Sequence, residues 1–272
     1  MKMLNPELED GTLPIKGWLD DIEDKALEQA VDLSNLPFAF HHIALMSDTH
    51  FGFGMPIGGV LATKGVIMPF AVGSDIGCGM ALMKTSLEEL DIDTLKKIMG
   101  MIRKVIPVGF EHHKDNQVWS GFDETPDIPV IQKELKSARK QIGTLGSGNH
   151  FIEIQKGSDG HIWIMVHSGS RNLGYKVAKH YNDLAKELNK KWYTSVPKED
   201  DLAFLPIQSD EGQDYFREMK YCVEFAFANR KLMMDKIIET FRRLFENISF
   251  EPMINIAHNY ATMENHFGHN VM

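Results

Sequence analysis

Apolar residues recur along the chain with two periods, and polar or glycine-rich punctuation separates the segments that carry them. Asp24 to Leu33 puts Ala26, Leu27, Ala30 and Leu33 on one helical face, which predicts a short helix ended by Pro37. Residues 1–22, broken by Pro6, Gly11, Pro14 and Gly17, read as an irregular lead-in. Phe38 to Met46 is mostly apolar and suits a buried strand that delivers Asp48 and His50 at its end. His41 and His42 interrupt that run and read as packing residues or supports of a site. Ala81 to Thr85 predicts a short strand, and Ser86 is placed to cap a helix over Leu87 to Ile102, with Glu88 and Glu89 at its positive end.

The second half continues the pattern. Gly109 to Thr125 is a polar loop carrying His112, His113 and Trp119. Val130 to Gln141 predicts a helix with Lys133, Lys136, Arg139 and Lys140; a solvated face is its ordinary meaning, a face for an anionic substrate the other. Phe151 and Glu153 share one face of an alternating strand, and His161 to Val166 forms another that ends in His167. Tyr175 to Lys190 predicts a helix, Ser195 to Ile207 a proline-containing connection, and Asp210 to Asn247 a long helix. In that helix Asn229 and Arg230 are placed to face a site, while Cys222 reads as core. Met253 to Ala257 is an apolar strand that ends in His258 and Asn259.

Composition narrows the picture. With 272 residues the chain can bury a full core as one large domain or two small ones. Hydrophobic content of 43% and charged content of 25% are those of an ordinary globular protein. The N-terminus lacks the apolar run of a signal peptide, and no segment is apolar for long enough to span a bilayer. Two cysteines, Cys78 and Cys222, give no secreted disulfide framework, so the expectation is a cytoplasmic protein with reduced thiols and no membrane partner. The net charge of −9 argues against broad non-specific nucleic-acid binding but leaves room for a local basic groove.

The chemistry lies in the polar punctuation. Leu45 to Met80 contains eight glycines around Asp48-Thr49-His50 and Asp75-Ile76-Gly77-Cys78. Such a density points to positive φ angles or to close approach of the backbone to a ligand. Asp75 and Cys78 can converge on one metal ion, although a tight turn with a buried, inert cysteine fits the same residues. Gly143 to Gly148 leads into Asn149 and His150, and glycine turns of this kind expose N–H groups to phosphate. His167 is followed by Ser168, Ser170 and Arg171, all suited to phosphate oxygens. Each histidine alone is more often structural. Together Asp75, Cys78, His150, His167 and His258 exceed what one tetrahedral zinc needs, and suit two metals bridged by the Cys78 thiolate. Thiolate softness favours zinc and phosphate chemistry often uses manganese or magnesium, so residue types leave the ion open.

From about Leu45 to the last residue, the segments DTHFGFGMPIGGV, GSDIGCG, GTLGSGNHFIEIQ, VHSGSRNLG and IAHNYATMENHFG occur in one order. They resemble the signature motifs of the RtcB family, GTP- and manganese-dependent RNA-splicing ligases. These join an RNA 3′-phosphate or 2′,3′-cyclic phosphate to a 5′-hydroxyl. The resemblance implies an α/β (α+β) fold of the family's own kind, with mixed sheets and helices around a central metal and nucleotide cleft, as one catalytic domain over residues 1–272. It implies that Asp75, Cys78, His150, His167 and His258 hold two manganese ions, with Cys78 bridging. Asn149 and Asn259 would contact nucleotide phosphates, Phe151 and Glu153 would line the guanine pocket, Asp48 would lie near the reacting RNA end, and Arg171 would hold a substrate phosphate.

The implied reaction has three steps: a histidine attacks the α-phosphate of GTP, the guanylyl group passes to the RNA 3′-phosphate, and the 5′-hydroxyl displaces GMP. The implied partners are GTP, RNA with these ends and an activating protein. One departure stands out. The family's guanylylated histidine lies in an HRKGAT motif after the segment matching NHFGHNVM, and the sequence stops at Met272 before any such motif. His266 and His269 are near but lack that context, so the expectation is a chain truncated at its C-terminus. The competing readings are a GTP-independent cyclic phosphoesterase and a non-catalytic module that binds RNA ends or nucleotide.

Overall fold

The structure is a computed structural model that describes residues 1–5, 12–194 and 201–272. In chain order the elements are β1 (Lys2–Met3), β2 (Ile15–Gly17), α1 (Asp24–Ser34), β3 (Ala39–His50), β4 (Ile57–Thr63), β5 (Val66–Ile67), α2 (Pro69–Val72), β6 (Gly79–Lys84) and α3 (Ile92–Val105). There follow α4 (Pro129–Gln141), β7 (Phe151–Lys156), β8 (Ile162–Ser168), α5 (Arg171–Lys191), β9 (Leu205–Pro206), α6 (Asp210–Arg242), β10 (Ile254–Ala257), β11 (Glu264–His266) and β12 (His269–Val271). This mixture of helices and sheets is the α/β (α+β) class that the motifs imply. No helix among the described residues is long and apolar enough to cross a membrane.

The chain divides into two compact units, one of residues 1–74, 178–217 and 261–272, the other of residues 75–177 and 218–260. In the first, a mixed sheet runs in the order β1-β2-β3-β4, with β2 parallel to β3 and the other pairs antiparallel. Its core joins Ile15, Ala30, Leu33, Ile43 and Leu45. The lead-in is therefore not irregular throughout. Ile15 is fully buried, and the Pro14 carbonyl accepts from the Ile43 N–H at 2.9 Å, so a proline that cannot donate still joins the sheet. Pro6 and Gly11, and the first part of the Ser195 to Ile207 connection, lie outside the described residues.

The second unit is built on an antiparallel sheet in the order β10-β6-β8-β7. Alternate residues of β6 and β8 (Ala81, Met83, Ile164, Val166) point to one face and pack against Ile98 and Ile102 of α3 and Met233, Met234, Ile237 and Phe241 of α6. Three helix boundaries differ from the sequence pattern. Helix α3 starts at Ile92 because Asp91 caps it, accepting from the Thr94 N–H at 2.9 Å, while Ser86 instead exchanges hydrogen bonds with Ser249. Helix α5 starts at Arg171, four residues early, and the Asn172 N–H in its first turn is satisfied by Gln141 Oε1 at 3.1 Å. Helix α6 stops at Arg242, where the Leu244 N–H turns back to the Phe241 carbonyl at 3.0 Å.

Gly79 sits where β6 meets β10, and a Cβ there would strike the Ile256 carbonyl and the Ala257 backbone. Gly79→Ala is expected to destabilise the protein by about 1–3 kcal/mol, the usual cost of overpacking. A denaturant titration reads this as a lower midpoint at unchanged slope, and an unchanged midpoint would show that β10 yields freely.

Candidate metal centre

Strand direction explains why the chemistry-bearing residues meet. In an antiparallel sheet neighbouring strands run oppositely, so one edge collects the start of β6, the end of β8, the start of β7 and the end of β10. Cys78 immediately precedes β6, His150 precedes β7, His167 is the penultimate residue of β8 and His258 follows β10. The register places Met80 opposite His167 and His167 opposite Phe151, and pairs Gly79 with Ala257. Asp75 reaches the same edge through a turn in which the Cys78 N–H donates to the Asp75 carbonyl at 3.0 Å.

The side chains form two triads that share one sulfur. Asp75, Cys78 and His150 offer ligand atoms within 4.8 Å of one another, and so do Cys78, His167 and His258. Cys78 Sγ lies 3.5 Å from His150 Nε2 and 3.2 Å from His167 Nε2. His150 Nε2 is 2.8 Å from Asp75 Oδ2, and His167 Nε2 is 3.3 Å from His258 Nε2. Two rings are turned by their other nitrogens: His150 Nδ1 donates to the Leu145 carbonyl at 3.1 Å and His167 Nδ1 to the Asn149 carbonyl at 3.0 Å. A carbonyl can only accept, so each ring carries a proton on Nδ1 and turns its Nε2 inward. Metal-binding histidines are held in this way.

Charge supports the same reading. Burial, and then the neighbouring Asp75 carboxylate, push the Cys78 thiol far above its usual range, with Arg230 opposing them. Burial also lowers the pKa of His167, which keeps that ring neutral and able to ligate. A buried thiol, a carboxylate and inward-turned imidazole nitrogens on this scale fit divalent cations. Cys78 and His167 are buried and His258 is exposed, so the centre is open on the His258 side.

Several buried groups hold the edge in place. Arg230, fully buried on α6, donates from Nη1 to the Gly77 carbonyl at 2.8 Å and the Ser168 carbonyl at 2.9 Å, and from Nε to Asn255 Oδ1 at 2.7 Å. Burial lowers its pKa to about 10, which leaves it charged at neutral pH. Asn229 Oδ1 accepts from Gly143 N at 2.7 Å and Thr144 N at 3.1 Å, while its Nδ2 donates to Ser168 Oγ and the Gly169 carbonyl. Both residues thus act on the site by positioning its turns.

The sequence candidates separate. Asp75, Cys78, His150, His167 and His258 converge. Arg171 is beside them: its Nε donates to Thr144 Oγ1 and its Nη2 to the Gly109 carbonyl, and a Cβ on Gly146, which has φ +101°, would strike both Arg171 and His150 Nδ1. Phe151 and Glu153 share the exposed face of β7, and the Phe151 ring stands edge-on to His167 at 5.3 Å. Asn149 is exposed, and Asn259 Nδ2 donates to the Asp75 carbonyl at 3.3 Å. Asp48 belongs to the first unit, exposed near the end of β3. Ser168 and Ser170 are not available for phosphate: both are fully buried, donating to the Leu145 and Ile76 carbonyls. The Leu145 carbonyl, which orients His150, was missed because a backbone acceptor leaves no mark in a sequence.

A family model described as tRNA-splicing ligase RtcB matches residues 29–272. The chain belongs to the RtcB family. It is 33% identical over 288 residues to the RNA-splicing ligase RtcB of Escherichia coli (strain K12), covering 95% of this chain and 69% of that protein. It is 33% identical over 301 residues to the tRNA-splicing ligase RtcB of Thermococcus kodakarensis, covering 90% of this chain and 62% of that protein. For the Pyrobaculum aerophilum tRNA-splicing ligase RtcB the identity is 29%, with 93% of this chain and 65% of that protein covered. The chain thus spans about two thirds of the length of these RtcB relatives.

Because Cys78 belongs to both triads, Cys78→Ala is expected to lose both ions, whereas His150→Ala should lose mainly one. Metal analysis after dialysis measures this, and two ions retained by Cys78→Ala would overturn the shared thiolate. Since the Cys78 thiol is protonated at neutral pH, metal uptake should release a proton and tighten about tenfold per pH unit. Calorimetry in two buffers of different ionisation heat detects that proton, and a buffer-independent heat would place the proton elsewhere.

Proposed function

We propose that this chain carries the metal-holding part of an RNA ligase that joins 3′-phosphate or 2′,3′-cyclic phosphate ends to 5′-hydroxyl ends with GTP. The observation that carries the reading is the pair of triads sharing Cys78 Sγ. Three protein donors per ion leave positions for phosphate oxygens. Two ions held so, proposed to be manganese, would stabilise the charge that develops on a phosphoryl group in transfer. The relatives' names as RNA- and tRNA-splicing ligases agree with this chemistry.

The other roles follow from what the side chains offer. Phe151 presents a ring face for a purine, and the Glu153 carboxylate on the same face can accept from the N–H groups of a guanine edge. Asn149 is exposed beside His150 and can donate to a nucleotide phosphate. Asn259 uses one Nδ2 proton on the Asp75 carbonyl and keeps the other for a phosphate oxygen. Arg171 is fixed by Thr144 and Gly109, so its charge is preorganised for a substrate phosphate. Asp48 is proposed to act at the reacting RNA end.

The test combines manganese, GTP and RNA carrying 3′-phosphate and 5′-hydroxyl ends, with intact mass spectrometry of the protein. Ligation that needs GTP and is lost in Cys78→Ala supports the ligase. Ring opening of a 2′,3′-cyclic phosphate without GTP would replace it with a phosphoesterase, and metal and RNA binding without turnover would leave a binding module. A covalent GMP adduct on the protein would make His266 and His269 the nucleophiles to substitute first.

A further inference from the structure

The loop over residues 107–119 is exposed yet firmly held. The Leu145 N–H donates to the Pro107 carbonyl at 3.0 Å, Gly109 N to the Gly146 carbonyl at 2.7 Å, His113 N to the Lys140 carbonyl at 3.0 Å and Gln117 N to the Arg139 carbonyl at 2.7 Å. Lys236 Nζ donates to Gln117 Oε1 at 3.3 Å, and Arg171 Nη2 clamps the Gly109 carbonyl at 2.9 Å. The loop therefore runs against residues 139–146, starting at the glycine turn beside His150 and leading away toward helix α4.

On this held loop Phe110 is 96% exposed and Val118 88% exposed. Apolar side chains on a pinned backbone cannot turn inward, so their exposure is a property of the fold. On α4, whose last turn the loop meets at Arg139 and Lys140, Lys133, Lys136 and Lys140 follow the i, i+3, i+7 spacing that aligns side chains on one face. Lys133 and Lys136 are exposed and Lys140 half-buried, and none of the three has a carboxylate partner among the described residues. Glu111, Lys114 and Asp115 lie on the loop itself and leave it without net positive charge at neutral pH, so the loop supplies the aromatic surface and the helix the positive charge.

We propose that Phe110 and the Lys133–Lys136–Lys140 row form a track for single-stranded RNA, along which the strand leaves the metal centre with a base stacked on Phe110 and its phosphates beside the lysines. The proposal rests on the RNA-ligase reading and extends it to nucleotides beyond the reacting end. An exposed ring followed by a row of cations suits single strands without regard to sequence. The track begins at Arg171, the residue placed for a substrate phosphate, and its charge is opposite to the chain's net −9, which suits a polyanion better than a protein surface.

The experiment is fluorescence anisotropy of the full 272-residue chain, loaded with manganese, against a 12-nucleotide RNA with a 3′-phosphate over a range of salt. Phe110→Ala should weaken binding about 5- to 150-fold, the range expected for removing one base stack. Lys133→Gln with Lys136→Gln and Lys140→Gln should lower the slope of log K against log salt by about 2, roughly 0.7 for each phosphate no longer neutralised. Phe110, Lys133 and Lys136 are exposed and Lys140 half-buried, and metal content is expected to stay unchanged in both variants. RNA affinity within twofold of the parent, with the same salt slope, would overturn the track and leave the surface to a protein partner. A parent chain that binds no RNA at all would fell the ligase reading and the track with it.

Discussion

A buried thiol next to a carboxylate is a poor arrangement unless a cation joins it. Cys78 lies with its sulfur against Asp75 on one side and two imidazole Nε2 atoms on the others, and burial raises the cost of ionising it. The rest of the second unit keeps these groups together despite that cost. Strands β6 and β8 fix Cys78 and His167 by register, backbone carbonyls turn two rings inward, and Arg230 ties the Gly77 turn to the end of β8. Without a cation, the thiol, the carboxylate and the imidazoles crowd together at 2.8 to 3.5 Å. A divalent cation would give them a shared partner of opposite charge.

This dependence couples the centre to the fold. The five donors come from four places far apart in sequence, so the unfolded chain offers no such site. An ion that binds only the folded state adds stability as its concentration exceeds its dissociation constant, about 2.7 kcal/mol at a hundredfold excess. The support must still exist before the ion arrives. Asn229 and Arg230 supply it from α6, a helix whose apolar face is already packed under the sheet by Met233, Met234, Ile237 and Phe241. Core packing and site geometry are therefore joined through one helix.

Much of this was legible in the sequence, for identifiable reasons. Residues that can ligate are chemically conspicuous, and each of the five ends an apolar strand or sits in a glycine turn, so their convergence around Cys78 was readable. The α/β character followed from the same motifs. What was not legible depends on contacts distant in sequence. Ser168 and Ser170 resemble phosphate ligands until the fold buries them against the Leu145 and Ile76 carbonyls. Helix α5 begins early because Gln141, thirty-one residues away in sequence, satisfies its first turn. Ser86 looks like a cap, but Ser249 claims it and Asp91 caps in its place. The short strand at Ile15 was hidden between Pro14 and Gly17, because its partner lies across a helix in the chain.

In a parallel α/β sheet, ligand-binding groups gather at one end because every strand points the same way. The sheet is antiparallel, and the convergence has a different origin. Alternation of direction brings two strand starts and two strand ends to one edge, so ligands must alternate between residues that precede a strand and residues that close one. Cys78 and His150 precede theirs, whereas His167 and His258 close theirs. A one-residue slip of β8 against β6 would turn His167 to the helix-covered face and Val166 to the face His167 now occupies. The buried row of Ala81, Met83, Ile164 and Val166 forbids that slip, because it would expose the core face. Hydrophobic register, set by packing on α3 and α6, is thus what selects the coordination geometry at the other end of the same strands.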